Sequence, residues 1–171
     1  MLHEDGRLLD DGVTFRLGEN HYLLSAGSGT ADAVYTHMMR LLQVVWPNLR
    51  VYVTTVTSQW ANICVCGPKA REVLVATGID INLDSDSFPF MSMCEGRVAG
   101  KYSRVARVSY TGELSFEINV RRRDGLAVWQ ALMDTGAAFG ITPVGSETSG
   151  VLRIEKGYIS AGAEGDGVTN P

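Results

Sequence analysis

The strongest constraint in this 171-residue chain is a set of apolar runs that alternate at period two and turn back over short polar breaks. Leu8–Leu17 and His21–Gly27 flank a turn at Gly18–Asn20, and Gly96–Tyr110 is followed closely by Leu114–Val120. Successive strand side chains point to opposite faces, so such runs read as half-buried strands, and their short breaks make them hairpins. Hairpins build an antiparallel sheet.

Helical periodicity is interleaved with these strands. Over Thr30–Trp46, residues Val34, Met38, Leu41, Leu42 and Val45 fall at helical spacing ahead of Pro47. Arg50–Thr57 and Trp60–Gly67 are β-branched runs that predict two further strands, separated by Ser58 and Gln59. Pro68 then opens a helix that ends at Gly78. The stretch from Ile79 to Glu95 reads as an irregular connection. Asp124–Gly140 predicts a helix capped by Asp124, and Ser146–Gly157 a second one stopped by Gly157. The pattern is that of an α+β fold, a mostly antiparallel sheet covered by helices on one face, with 1–171 as a single domain.

Several function classes drop out on composition. The length suits one core of ordinary size rather than the two or three domains of a typical cofactor oxidoreductase. A net charge of -4 without a basic stripe argues against nucleic acid as a partner, and Arg121, Arg122 and Arg123 read as a solvated strand end. No run approaches the roughly 18 apolar residues that cross a bilayer, and MLHEDGR lacks the order of a signal peptide, so no membrane partner and a cytoplasmic location are expected. Cys64, Cys66 and Cys94 read as reduced, buried thiols, the first two on one strand face. With no nearby His they make a weak metal signal, and no metal site is expected.

GSGTAD, at Gly27–Asp32, follows a strand and opens a helix but lacks the third glycine of a dinucleotide loop. It reads as a plain strand-to-helix turn in which Thr30 or Ser28 caps the helix. His3, His21 and His37 have no ligand spacing, and nothing supports a Ser-His-Asp or Cys-His arrangement.

Three carboxylates and one aromatic remain. Asp10 and Asp11 are adjacent in a strand pattern, so they face opposite ways and cannot act together on one substrate. An inward carboxylate among Leu8, Leu9 and Val13 requires a hydrogen-bonding or cationic receiver, which leaves one of the pair as a functional group or as an exposed turn residue. Glu117, in SFEINV, shares a face with Ser115 and Asn119 rather than with Phe116 and Ile118. A carboxylate there can take two parallel hydrogen bonds from an amidine-like edge, or can be a plain outward strand Glu. Tyr110 ends a strand before Thr111 and Gly112, either to offer a ring face or simply to pack.

The order of motifs adds to this reading. LLDDGVTFRL, TSQWANICVCGPKAREVL, FPFMSM, RVSYTGELSFEINV and ITPVGSETSGVLRIEKGY together resemble the folate-binding part of the sarcosine oxidase alpha subunit, which is similar to aminomethyltransferase, the T-protein of glycine cleavage. The resemblance runs from about Gly6 to Pro171. It implies tetrahydrofolate as cofactor and transfer of a methylene-level unit from an amine to it, with Asp11, the second Asp of the pair, as the catalytic carboxylate. It also implies that Tyr110 and Glu117, seven residues apart, lie at the folate ring, and that Glu147, in the GxET run from Gly145 to Thr148, belongs to the cofactor site. Ser149 stands where aminomethyltransferases carry an Arg, which brings the chain closer to the oxidase branch. From Ala161 to Pro171 the match to the family's acidic, glycine-containing ending is incomplete. The resemblance implies folate, other oxidase subunits or further copies of the chain as partners, and no oxidation of sarcosine by this chain alone. A truncated, inert contact module of the same family is the other reading.

Overall fold

A computed structural model of the chain describes residues 1–165 and divides into two compact units. The first comprises Met1–Thr55 with the segment from Ile159 onward, and the second comprises Val56–Tyr158. The architecture is α+β, with helices and antiparallel sheets as the sequence predicts.

In the first unit, β1 (Thr14–Gly18) and β2 (His21–Leu24) form the expected hairpin, pairing Thr14 with Leu24 and Phe15 with Leu23. Arg16 fastens the turn, its Nε donating to the Gly18 carbonyl and its Nη2 to that of Glu19, each at 3.1 Å. Helix α1 (Ala31–Arg40) runs on into a wider π turn, Leu41–Val45, and buries Val34.

Asp10 is the inward member of the acidic pair, 2 % exposed, and Asp11 is exposed. The Asp10 carboxylate accepts the Gly27 N–H at 3.3 and 3.2 Å and the Thr30 hydroxyl. It thus ties the segment before β1 to the start of α1. A Cβ on Gly27 would come within 2.9 Å of Asp10 Oδ1, so only glycine permits this approach. Thr30 occupies the cap position, yet its hydroxyl serves Asp10 and the Gly27 carbonyl instead of capping the helix. The glycine loop therefore has an anion of its own: its Gly27 amide is committed to Asp10.

An Asp10→Ala variant removes the acceptor of the half-buried Gly27 amide and the charged partner of the Thr30 hydroxyl and is expected to cost about 2 kcal/mol. Asp10→Asn keeps one acceptor and should cost less. Urea denaturation followed by circular dichroism distinguishes the two, and an Asp10→Ala midpoint equal to wild type would contradict the bond network.

The second unit holds a four-stranded antiparallel sheet, in the order β3 (Trp60–Cys66), β6 (Ser115–Arg121), β5 (Lys101–Ala106) and β4 (Met93–Val98). The β4–β5 turn places both Ala99 and Gly100 at positive φ, 50° and 73°, the backbone a two-residue hairpin needs. The inner sheet face presents Ile63, Val65, Val105, Phe116, Ile118 and Val120. Helices α2 (Ala70–Ala76) and α3 (Gly125–Gly136) supply Ala70, Val73, Leu74, Val128 and Leu132 to the same core. Phe88, from the irregular connection, stacks on Phe116 with ring centroids 6.1 Å apart. Helix α4 (Ser146–Lys156) ends where Gly157 turns left-handed, as its sequence predicts.

Some sequence expectations do not hold. Arg50–Thr57 is not a strand: residues 50–56 have no regular structure and Thr57 opens a 3₁₀ turn, Thr57–Gln59. Val51 and Tyr52 are 51 % and 96 % exposed, because β-branched propensity needs a neighbouring strand to pair with. Asp124 stands at the α3 cap position without capping and lies 3.7 Å from Lys101 Nζ. The cysteines are free, as expected, but they are not buried: Cys64 is exposed, and Cys66 and Cys94 are half-buried. Beyond Gly165, the incomplete match over Ala161–Pro171 lies outside the described residues.

Candidate functional site

Period-two alternation gives the second unit's sheet an outer face that is polar where the inner one is apolar. In register, Cys64 stands opposite Glu117, and Glu117 opposite Ala106. The next row runs Asn62, Asn119, Arg104 and Glu95 across all four strands.

The cations on this face are engaged by neighbours other than Glu117. The Arg104 guanidinium lies 4.6 Å over the Trp60 ring and pairs with Glu95 at 2.9 Å. Arg121 lies 5.6 Å over Tyr102. Glu117 is instead held by an amide: Asn62 Nδ2 donates to Glu117 Oε2 and to Asn119 Oδ1, both at 3.1 Å. Among the described residues no cation pairs with Glu117. A half-buried carboxylate positioned by hydrogen bonds and left without a counter-charge is suited to a ligand that brings its own N–H groups.

Cys64 sits beside Glu117, its Sγ 3.3 Å from Ser115 Oγ. Desolvation pushes the thiol up to about 11 from an ordinary 9.0, and Cys66 and Glu117 add to the rise against the Ser115 hydrogen bond. A residue with exposed surface whose thiol is nevertheless desolvated has protein close around it. The thiolate is the reactive form, so alkylation of Cys64 by iodoacetamide is expected to stay slow at pH 8 and to keep rising, about tenfold per pH unit, towards pH 11. A plateau near pH 9, read by peptide mass spectrometry, would contradict this environment.

Tyr110 is 44 % exposed and leads into the turn at Thr111–Gly112, where Gly112 has φ 80° and a Cβ would collide with the Lys156 side chain. The turn borders a recess of about 300 Å³ lined by Phe90, Arg107, Ser109 and Tyr158, which reaches Ser115 at the start of β6. Glu147 is exposed on the first turn of α4. Asp11 belongs to the first unit, where its Oδ2 accepts the Ala161 N–H at 3.1 Å. Arg121, Arg122 and Arg123 are exposed and line a shallow recess with Gln59 and Trp60. Among the described residues no group of three His, Cys, Asp or Glu side chains could hold a metal, and no helix is long and apolar enough to cross a membrane.

The sequence reading missed Asn62. Its signal is register: it alternates with Ile63 and shares a face with Cys64 on β3, and only the pairing of β3 with β6 reveals that it neighbours Glu117.

Comparison with known proteins bears on this geometry. The family model of the GCVT N-terminal domain matches residues 1–171. The chain is 40% identical to the sarcosine oxidase subunit alpha of Corynebacterium sp. (strain U-96) over 172 residues, covering 100% of the chain and 18% of that protein. It is 32% identical to the aminomethyltransferase of Chloroherpeton thalassium over 171 residues, covering 100% of the chain and 45% of that protein. The chain thus spans less than half the length of these relatives. The heterotetrameric sarcosine oxidase from Corynebacterium sp. U-96, solved with pyrrole 2-carboxylate, has a similar fold, with a TM-score of 0.60 and 20% identity over 82% of this chain and 66% of that one. Motif order, antiparallel α+β architecture and the match along the whole sequence converge on one assignment: the chain belongs to the GCVT N-terminal domain family.

Proposed function

We propose that residues 1–171 act as one folate-binding domain of a sarcosine oxidase alpha-subunit-like protein, passing a methylene-level unit from an amine to tetrahydrofolate. The observation that carries this reading is Glu117, a carboxylate held by Asn62 on a polar sheet face with no cation paired to it among the described residues. The amino and ring N–H groups of a pterin form the kind of edge that such a carboxylate accepts. Tetrahydrofolate supplies the nucleophilic nitrogen that takes up the one-carbon unit. Tyr110 offers a ring face and Glu147 a further acceptor. Asp11, oriented through the Ala161 N–H, gives negative charge that supports an iminium-like one-carbon unit. Folate, other oxidase subunits or further copies of the chain are its partners in this reading, and the cytoplasm its location.

Isothermal titration of the chain with tetrahydrofolate is expected to show binding, weakened about tenfold or more by Asp11→Ala, as the loss of a charged contact implies. No heat at high protein concentration would sink the proposal.

A second reading, a contact module without catalysis, draws on a different observation. Val44, Trp46, Leu49 and Tyr52 expose 69 %, 51 %, 54 % and 96 % of their surface within one short stretch of the first unit, as residues covered by another chain would. Folate binding by the wild-type chain would count against it.

A further inference from the structure

We infer that Asn62 is a positioning residue for ligand recognition by Glu117, an inference that rests on the folate reading. A lone strand carboxylate turns about its side-chain torsions, and its ordering for a two-point contact costs conformational entropy. Asn62 removes part of that cost in advance. Its Nδ2 spends one hydrogen on Glu117 Oε2 and the other on Asn119 Oδ1, both at 3.1 Å, so the amide is held from two sides. Because the Glu117 carboxylate can only accept, the nitrogen of Asn62 must face it, and the Asn119 amide turns its oxygen to the same nitrogen. Asn119 is two residues from Glu117 on β6, and Asn62 faces Asn119 across the strand pair, so the bracket is built from regular backbone register.

The bracket also decides which part of the carboxylate a ligand meets. Oε2 already accepts one bond, while Oε1 has no hydrogen-bond donor among the described residues. The edge is therefore fixed in direction and open on one oxygen, suited to a planar ligand that presents an exocyclic amino group beside a ring N–H. Arg104, in the same row, is occupied by Trp60 and Glu95 and does not compete for Glu117. The ligand class is an amino-substituted, amidine-edged heterocycle, and Asn62 sets discrimination for its amino group.

The test compares wild type, Asn62→Leu and Asn62→Ser in the full chain. Each is titrated with tetrahydrofolate and with an analogue in which the 2-amino group is replaced by methyl. Wild type is expected to prefer tetrahydrofolate, and both variants to lose about tenfold of that preference, the weight of one positioned hydrogen bond to a charged group. A role in stability alone would move both ligands equally and leave the ratio unchanged, which would overturn the inference. A double-mutant cycle with Glu117→Gln should be strongly non-additive, whereas additive losses would show that Asn62 acts independently of Glu117. A readout without ligand separates this inference from the folate reading. The Asn62 side-chain amide resonances should shift markedly in Glu117→Gln, and their failure to move removes the bracket whatever the chain binds. Wild type that binds no folate while those resonances do shift overturns the folate reading and the ligand assignment, and leaves the bracket standing.

Discussion

Replacing Phe116 with Ala is expected to destabilise the second unit by about 4 kcal/mol, the usual cost of emptying a buried aromatic site. Phe116 is fully buried, lies between its strand neighbours opposite Val65, and stacks on Phe88, itself fully buried. Truncation forfeits the transfer free energy of the ring and leaves a cavity beside Phe88, whose ring stacks on that of Phe116. A domain is stable by only about 5–15 kcal/mol, so this one change removes a large share. Urea unfolding should show a lower midpoint with an unchanged slope. Leu126→Ala, at a site 77 % exposed, is the control and should stay within about 0.5 kcal/mol of wild type. Equal midpoints for Phe116→Ala and wild type would mean that the stacked pair is not the centre of the core.

Glu117→Ala is expected to weaken tetrahydrofolate binding about 100-fold, which corresponds to roughly 2.7 kcal/mol. Hydrogen bonds to a charged group contribute about 1.5–3 kcal/mol each, and two are lost when the carboxylate is removed, with a reduction for its partial exposure. Glu117→Gln retains the shape but turns one acceptor into a donor, so it should recover only part of the loss. Neither variant should alter the unfolding midpoint much, because Glu117 lies on the outer face and, among the described residues, its side chain is hydrogen-bonded by Asn62 only. Affinity that survives Glu117→Ala would move the ligand away from this sheet face.

The contrast between Glu117 and Asp10 shows how far sequence reasoning reaches. Alternation alone places Glu117 on the face opposite Phe116 and Ile118, and the structure agrees, since period two is a local property of any strand. Adjacency likewise implies that Asp10 and Asp11 diverge. Which of them turns inward is decided by Gly27 and Thr30, residues 17 and 20 positions away. The run at Arg50–Thr57 fails for a related reason: its β-branched residues satisfy the local preference, but none of the described strands pairs with them to complete a ladder. Cys64 shares the outer face with Cys66 as expected, yet its exposure reflects helices α2 and α3 covering the other face.

By itself the sequence determined the α+β class, the hairpins, the helix stops and the family, because each is written in short-range periodicity, turn residues or ordered motifs. Only the tertiary structure decided that Asp10 is the buried carboxylate, that Arg104 is taken up by Trp60 and Glu95, and that Asn62 holds Glu117. Those outcomes depend on strand register and on contacts between residues far apart in the chain, which no local pattern encodes.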